Sequence, residues 1–440
     1  MKQQLLFNHL TISQISERKI KKHASDHSLS DTIKIIESSI KNQYESPYAS
    51  LYCSFDKNLI KTVKNLVEIK KKLQPTVLIV VGIGGSSLGT KAIQEAVLGR
   101  YYNASNPPIK IYFAQTVDAD KTATIIHVMR SEFIKHNAVL IAVVTKSGTT
   151  TETIANFQVL LHLLKTEYPE TYHEHVVVIT DEGSVLWKLS EQEKFSLLKI
   201  PKLVGGRYSV FSAVGLFPLA MIGINIEKLH EGAQKALSTC LQKNILKNPA
   251  ALSALFQHIH YKNNYTISDL FLFSLDLEGV GQWYRQLMGE SIGKEIDVHG
   301  KRIMAGITPT VSLGSIDLHS VAQLYLGGPH DKITTFVTVH KTKTDIILPD
   351  NEPSLLPYLS GKSFSTIMNA IVDGTKAAYL KHNRPFCSLE LPEKNEYYVA
   401  QLMQMKMLEM MYLGHLMEVN PFDQPNVELY KTETHRILSK

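Results

Sequence analysis

Four short apolar runs in the first half of the chain carry β-branched residues with almost no polar interruption: "TVLIVVG" (Thr76–Gly82), "IKIYFA" (Ile109–Ala114), "AVLIAVVT" (Ala138–Thr145) and "HVVVIT" (His175–Thr180). A strand with one wet face would alternate apolar and polar residues; an unbroken run is buried on both faces. Helical stretches such as Glu152–Lys165 lie between the runs. Together these predict a parallel sheet covered by helices on both sides. The pattern restarts with "DLFLFSLD" (Asp269–Asp276), "ITPTVSLG" (Ile307–Gly314), "KITTFVTVH" (Lys332–His340) and "PFCSLELP" (Pro385–Pro392). Helical stretches at Gly281–Glu290, Ser363–Leu380 and Asn395–Met417 alternate with them. The expected fold class is therefore α/β, with two domains of similar plan, each a mainly parallel sheet flanked by helices in three layers. At 440 residues the chain is too long for one core. The expected divisions are an N-terminal helical segment over 1–55, a first sheet domain over 56–225 and a second over 226–440. No Pro- or Ser-rich linker marks the boundary, so firm packing of the domains is expected.

Parallel sheets gather ligands at the carboxyl ends of their strands, so the loops there should carry the chemistry. The first strand runs into "VVGIGGSSLG" (Val80–Gly89). A dinucleotide fingerprint would place a third glycine where Ser87 stands, and a nucleotide P-loop would place lysine where Thr90 stands. Both nucleotide readings fail at their diagnostic residue. What remains is a set of backbone N–H groups and two hydroxyls beside a helix start, suited to a small oxyanion or to a tight turn alone. The third strand ends in "TKSGTTTET" (Thr145–Thr153), whose hydroxyls, amides and Lys146 can surround a phosphate and equally begin a capped helix.

Further on, "KLVGGRYSVFSAVG" places Gly205 and Gly206 directly before Arg207, so a fixed arginine can approach an oxyanion. "QLMGESIGKE" sets Gln286 and Glu290 four apart, on one helix face, with Glu290 at a helix end as a candidate general base. "GSIDLHS" carries His319 at a loop-to-helix junction. "NPFDQPNVELYK" is dense in turn residues and ends in Lys431.

Taken in order, "VGIGGSSLG", "TKSGTTTET", "LVGGRYSVFSAVG", "GESIGK", "SIDLHS" and "FDQPNVELYK" resemble the glucose-6-phosphate isomerases (phosphoglucose isomerases) in their shorter bacterial-type form. The resemblance implies two sugar-isomerase (SIS) domains and a homodimer with shared active sites. It implies that Gly85 and Ser86 line the sugar-phosphate site, that Thr145, Ser147 and Thr150 grip phosphate, and that Lys146 accompanies them. Arg207, with Gly206, is implied to stabilise the enediolate. Glu290 is implied to be the base, with Gln286 beside it. His319 and Lys431 are implied to open the sugar ring, with Gln424 near Lys431 and the histidine reaching in from a partner subunit. The chain departs from many members by having Thr145, Ser147 and Gly148 in the phosphate loop. Asp317 stands where longer members have glycine, a candidate to orient His319.

The chemistry suits these residue types. Moving a proton between C2 and C1 of a sugar phosphate needs one carboxylate within reach of both carbons. The cis-enediolate needs a fixed cation. The unreacting phosphate anchors the substrate. No nucleotide, redox cofactor or metal is required. The expected partners are glucose 6-phosphate and fructose 6-phosphate, interconverted in glycolysis and gluconeogenesis. The alternative from another class is a non-catalytic SIS-domain sensor, which could dispense with Glu290, His319 and Lys431.

Bulk properties agree. The formal charge of +6, without a long Lys/Arg block, is no nucleic-acid signature. Three scattered cysteines (Cys53, Cys240, Cys387) and the lack of a long apolar run point to a cytoplasmic protein without a membrane span. The closest histidine pairs, His258–His260 and His173–His175, have no second pair at zinc-site spacing, so no metal site is expected.

Overall fold

The computed structural model describes residues 5–8, 15–350 and 356–440. Among the described residues there are twelve strands: β1 (Leu6–Asn8), β2 (Pro75–Val81), β3 (Lys110–Ala114), β4 (Ala138–Val144), β5 (Val176–Thr180), β6 (Ser196–Lys199), β7 (Ile267–Leu272), β8 (Lys294–Ile296), β9 (Arg302–Ala305), β10 (Thr308–Leu313), β11 (Lys332–Lys341) and β12 (Phe386–Glu393). The first sheet has the order β3-β2-β4-β5-β6 and is parallel throughout. The second has the order β1-β12-β11-β7-β10. Counted from β7, its parallel strands repeat the winding of the first sheet, with β1 added antiparallel at the edge. β8 and β9 form a small hairpin outside both sheets.

The unbroken apolar runs have the predicted cause. In β2, Val77, Ile79 and Val81 face one core, while Leu78 and Val80 face another. That second core is shared. It runs between the two sheets through helices Ala213–Met221, Ile226–Cys240, Glu278–Ile292 and Glu396–Leu416. The last of these is buried on nearly every side, and its internal Lys406 and Glu409 pair at 2.7 Å. Burying either charge alone would be costly, so the two are buried together.

The structure adds strands that short apolar runs could not disclose. The N-terminal segment, expected to be helical, contains helices Glu17–Asp26 and Leu29–Lys41 and also β1, which pairs Phe7 with Leu389. β6, β8 and β9 are three or four residues long, too short for periodicity to register. No described helix is long and apolar enough to cross a membrane.

Candidate active site

β2 and β4 are neighbours although β3 lies between them in sequence. Their crossovers therefore leave in opposite directions, and the crevice at their carboxyl ends is where sheets of this winding take ligands. Both phosphate-type loops open there. The helices that follow β3, β5 and β6 are capped by the side chains of Asp118, Ser184 and Ser212. Those that follow β2 and β4, Leu88–Leu98 and Thr151–Glu167, have no side-chain cap. Their first N–H groups are left for another acceptor.

The Thr145 hydroxyl meets that of Thr150 at 3.0 Å instead of capping the helix. Ser147 is exposed and accepts from the N–H and hydroxyl of Thr149. The Ser86 hydroxyl makes no hydrogen bond among the described residues. Lys146 is half-buried; burial lowers its pKa, Asp181 opposes this and Lys202 adds to it. At the other end of this sheet a cavity of about 470 Å³, lined by Pro75, Thr76, Tyr102 and Ile109, lies beside the amino ends of β2 and β3 and away from these loops.

A Cβ on Gly85 would stand 2.2 Å from the Gly206 carbonyl carbon and 2.6 Å from the Arg207 nitrogen. The close approach this glycine permits is to the neighbouring loop. On Gly206 a Cβ would meet nothing closer than 3.7 Å. The contact sets the base of Arg207, whose carbonyl accepts from the Trp283 indole at 3.1 Å. Arg207 is 2% exposed. A guanidinium has five N–H donors, and each has a partner: Nε donates to Ser291 Oγ, one terminal nitrogen to Glu290 and Gln424, the other to the Pro421 and Asp423 carbonyls.

Glu290 sits near the end of helix Glu278–Ile292. One carboxylate oxygen accepts from Arg207 at 3.1 Å, the other from Gln286 at 3.0 Å. A Cβ on Gly84 would lie 3.0 Å from that Gln286 amide. Arg207, Glu290, Gln286, Gln424 and the Gly84–Gly85 turn thus form one connected group. Lys294 and Asp423 belong to it and escaped the sequence reading, although both lie inside the quoted motifs. The buried Lys294 ammonium donates to the Glu290 carbonyl at 2.7 Å and to the Asp423 carbonyl, and pairs with the Asp423 carboxylate at 3.1 Å. Burial lowers its pKa, against the pull of Asp423.

The second sheet presents the opposite end from the one expected. Gly289 packs against Pro309, near the start of β10, so Glu290 lies by the amino end of that sheet. His319 follows the carboxyl end of β10 in a short helical turn, Ile316–His319. Four residues of strand, roughly 13 Å, separate Pro309 from Leu313. His319 is exposed and makes no hydrogen bond among the described residues. Asp317 does not orient it: its carboxylate accepts from the Leu313 N–H and from Ser320. Lys431 is also outside the group, paired with Glu428 on its own helix, Val427–Leu438, which buries no side chain.

Comparison with known proteins bears on this geometry. The chain is 31% identical over 392 residues to the glucose-6-phosphate isomerase of Carboxydothermus hydrogenoformans, covering 88% of this chain and 83% of that one. It is 34% identical over 387 residues to that of Thermus thermophilus, covering 87% and 88%. The fold matches a crystal structure of a hypothetical protein from Thermus thermophilus with TM-score 0.86 and 29% identity, over 99% of this chain and 100% of that one. It matches that of a glucose-6-phosphate isomerase from Chlamydia trachomatis with TM-score 0.80 and 21% identity, over 97% and 87%. A family model described as phosphoglucose isomerase matches residues 57–440; the chain belongs to the phosphoglucose isomerase family.

Proposed function

We propose that this chain interconverts glucose 6-phosphate and fructose 6-phosphate at the crevice beside β2 and β4, as a cytoplasmic enzyme of glycolysis and gluconeogenesis. The observation that carries the site assignment is the Arg207–Glu290 contact, a buried cation against a carboxylate that is partly open to solvent. Glu290 is the base that takes the proton from C2 and returns it to C1. Gln286 orients its second oxygen. Arg207 faces the negative oxygen of the cis-enediolate, and its held position means no reorganisation when the charge develops. Gln424 shares the same guanidinium nitrogen and can yield its place to that oxygen.

The phosphate takes the two uncapped helix N-termini, with Thr145, Ser147, Thr150 and Ser86 supplying hydroxyls and Lys146 a charge. The ring-opening pair is His319 and Lys431. Within one chain β10 lies between Glu290 and His319, so the working enzyme is a homodimer in which a second copy delivers the histidine. The exposure of His319 supports this reading. Nothing in this proton shuttle calls for a cofactor.

The test is a coupled assay of fructose 6-phosphate conversion with the purified chain. Turnover that scales with dimer concentration is the expected result. Sugar-phosphate binding without turnover would turn the reading into a sensor.

A further inference from the structure

Three histidines with no part in the isomerase site meet where helix Glu17–Asp26 packs on helix Pro249–Tyr261. His23 and His27 stand one turn apart, in the last turn and at the C-cap of helix Glu17–Asp26. His258 lies on helix Pro249–Tyr261, which is buried from Ala250 to His260. The ring centroids are 4.6 Å apart for His23–His27, 5.0 Å for His23–His258 and 5.1 Å for His27–His258. One ring nitrogen from each lies within 4.8 Å of the other two.

We propose that His23, His27 and His258 form a binding site for a divalent transition metal of the zinc type, which clamps the first helix to the buried helix Pro249–Tyr261. An i, i+4 pair presents two imidazoles on one helix face, and the third comes from a rigid, buried helix. Metal–imidazole bonds of 2.0–2.1 Å in tetrahedral geometry place the ligand nitrogens about 3.4 Å apart. The His23 Nε2 and His258 Nδ1 atoms are at 2.9 Å, and modest rotations of half-buried rings bring the third nitrogen in. Imidazole-only donors select zinc-like ions over calcium or magnesium, which want oxygen.

A plain hydrogen-bonded histidine pair does not account for the cluster. The His23–His258 contact uses one nitrogen of each ring. It leaves the His27 ring, tilted against His23 and edge-on to His258, with no hydrogen bond of its own among the described residues. Three imidazoles this close also repel one another when protonated, whereas a single cation between them uses all three lone pairs. His23 and His27 are only half-buried, so an ion can enter from solvent and keep water in its fourth position.

The experiment uses the full chain, stripped by chelator and titrated with Zn²⁺ against a chromophoric competitor, with Co²⁺ as a spectroscopic probe. One ion per chain is expected, with a tetrahedral Co²⁺ spectrum and a Zn²⁺-dependent rise in Tm. In a His23→Gln, His27→Gln double variant the affinity should fall more than about 100-fold. The Tm response should vanish with it, while isomerase activity and circular dichroism stay unchanged. Because the buried His258 is untouched, that variant tests the site without risking the core. Absence of saturable binding to the parent chain would overturn the proposal, as would equal binding in the double variant.

Discussion

The Arg207 guanidinium donates to the Glu290 carboxylate across 3.1 Å, joining residues 83 positions apart. Its other N–H groups are occupied by Ser291, Gln424, Pro421 and Asp423. Base and cation are thus parts of one hydrogen-bonded unit, and the C-terminal turn holds it shut. Substitutions here change geometry as well as charge.

Glu290→Gln should keep sugar-phosphate binding and lose isomerisation by about 10²–10⁴-fold, the usual contribution of a positioned base. Solvent-deuterium incorporation at C2 is the measurement; retained exchange would remove Glu290 from the role.

Arg207→Ala should lower kcat more than it raises KM and cost about 3 kcal/mol in stability, because a partly exposed carboxylate and two carbonyls lose their donor. Arg207→Lys should restore little: an ammonium has three donors where five acceptors wait. Denaturant unfolding beside steady-state kinetics separates the two effects.

Gly85→Ala should abolish activity and weaken folding, since the new methyl meets backbone at 2.2 Å. A displacement near 1 Å at such a site costs on the order of 10²-fold in rate. Gly374, in helix Phe364–Lys381, is the contrast. A Cβ there meets nothing within 4 Å, and Gly374→Ala should stabilise by about 0.5–1 kcal/mol with activity intact.

Lys294→Met should reduce kcat about tenfold with a smaller change in KM, because the buried Lys294 ammonium ties the Glu290 backbone to the Asp423 turn. A loss near 2 kcal/mol is expected from the unpaired acceptors. An unchanged kcat would show that this tie does not matter to the base.

His230 gives a pH signature. Burial lowers its pKa to about 4, against the Phe211 carbonyl that Nε2 approaches at 3.2 Å. The unfolded chain, with a value near 6.5, binds more protons between pH 4 and 6.5. Stability from this residue is therefore full above pH 6.5 and falls as pH drops through that window. His230→Gln keeps a donor for the carbonyl and does not titrate. The parent should lose about 2 kcal/mol more than the variant between pH 7 and pH 5, measured by urea unfolding; equal losses would contradict the assignment.

Much of the frame was legible because it is local. β2, β4, β5, β7, β11 and β12 announce themselves as apolar runs buried on both faces, and three of the six motifs carry Arg207, Glu290 and Gln424, which the structure brings together with Gln286. Three things were not legible. The close approach that Gly85 permits is between its own loop and the Gly206–Arg207 loop, which neither loop's sequence records. Asp317 looked like a partner for His319 and closes its own turn. Lys294 and Asp423 were in view but could not be connected without their 3.1 Å contact.

The alternation of strand and helix, the winding it permits and the residue types of the loops were determined by the sequence alone, because each depends on neighbours a few positions away. Tertiary structure decided which end of the second sheet faces the crevice, that Glu290 and His319 of one chain lie by opposite ends of β10, and that His23 meets His258 across 235 positions. These follow from how both sheets pack on one shared helical layer. That packing sums many weak apolar contacts between distant residues, so no local pattern records it.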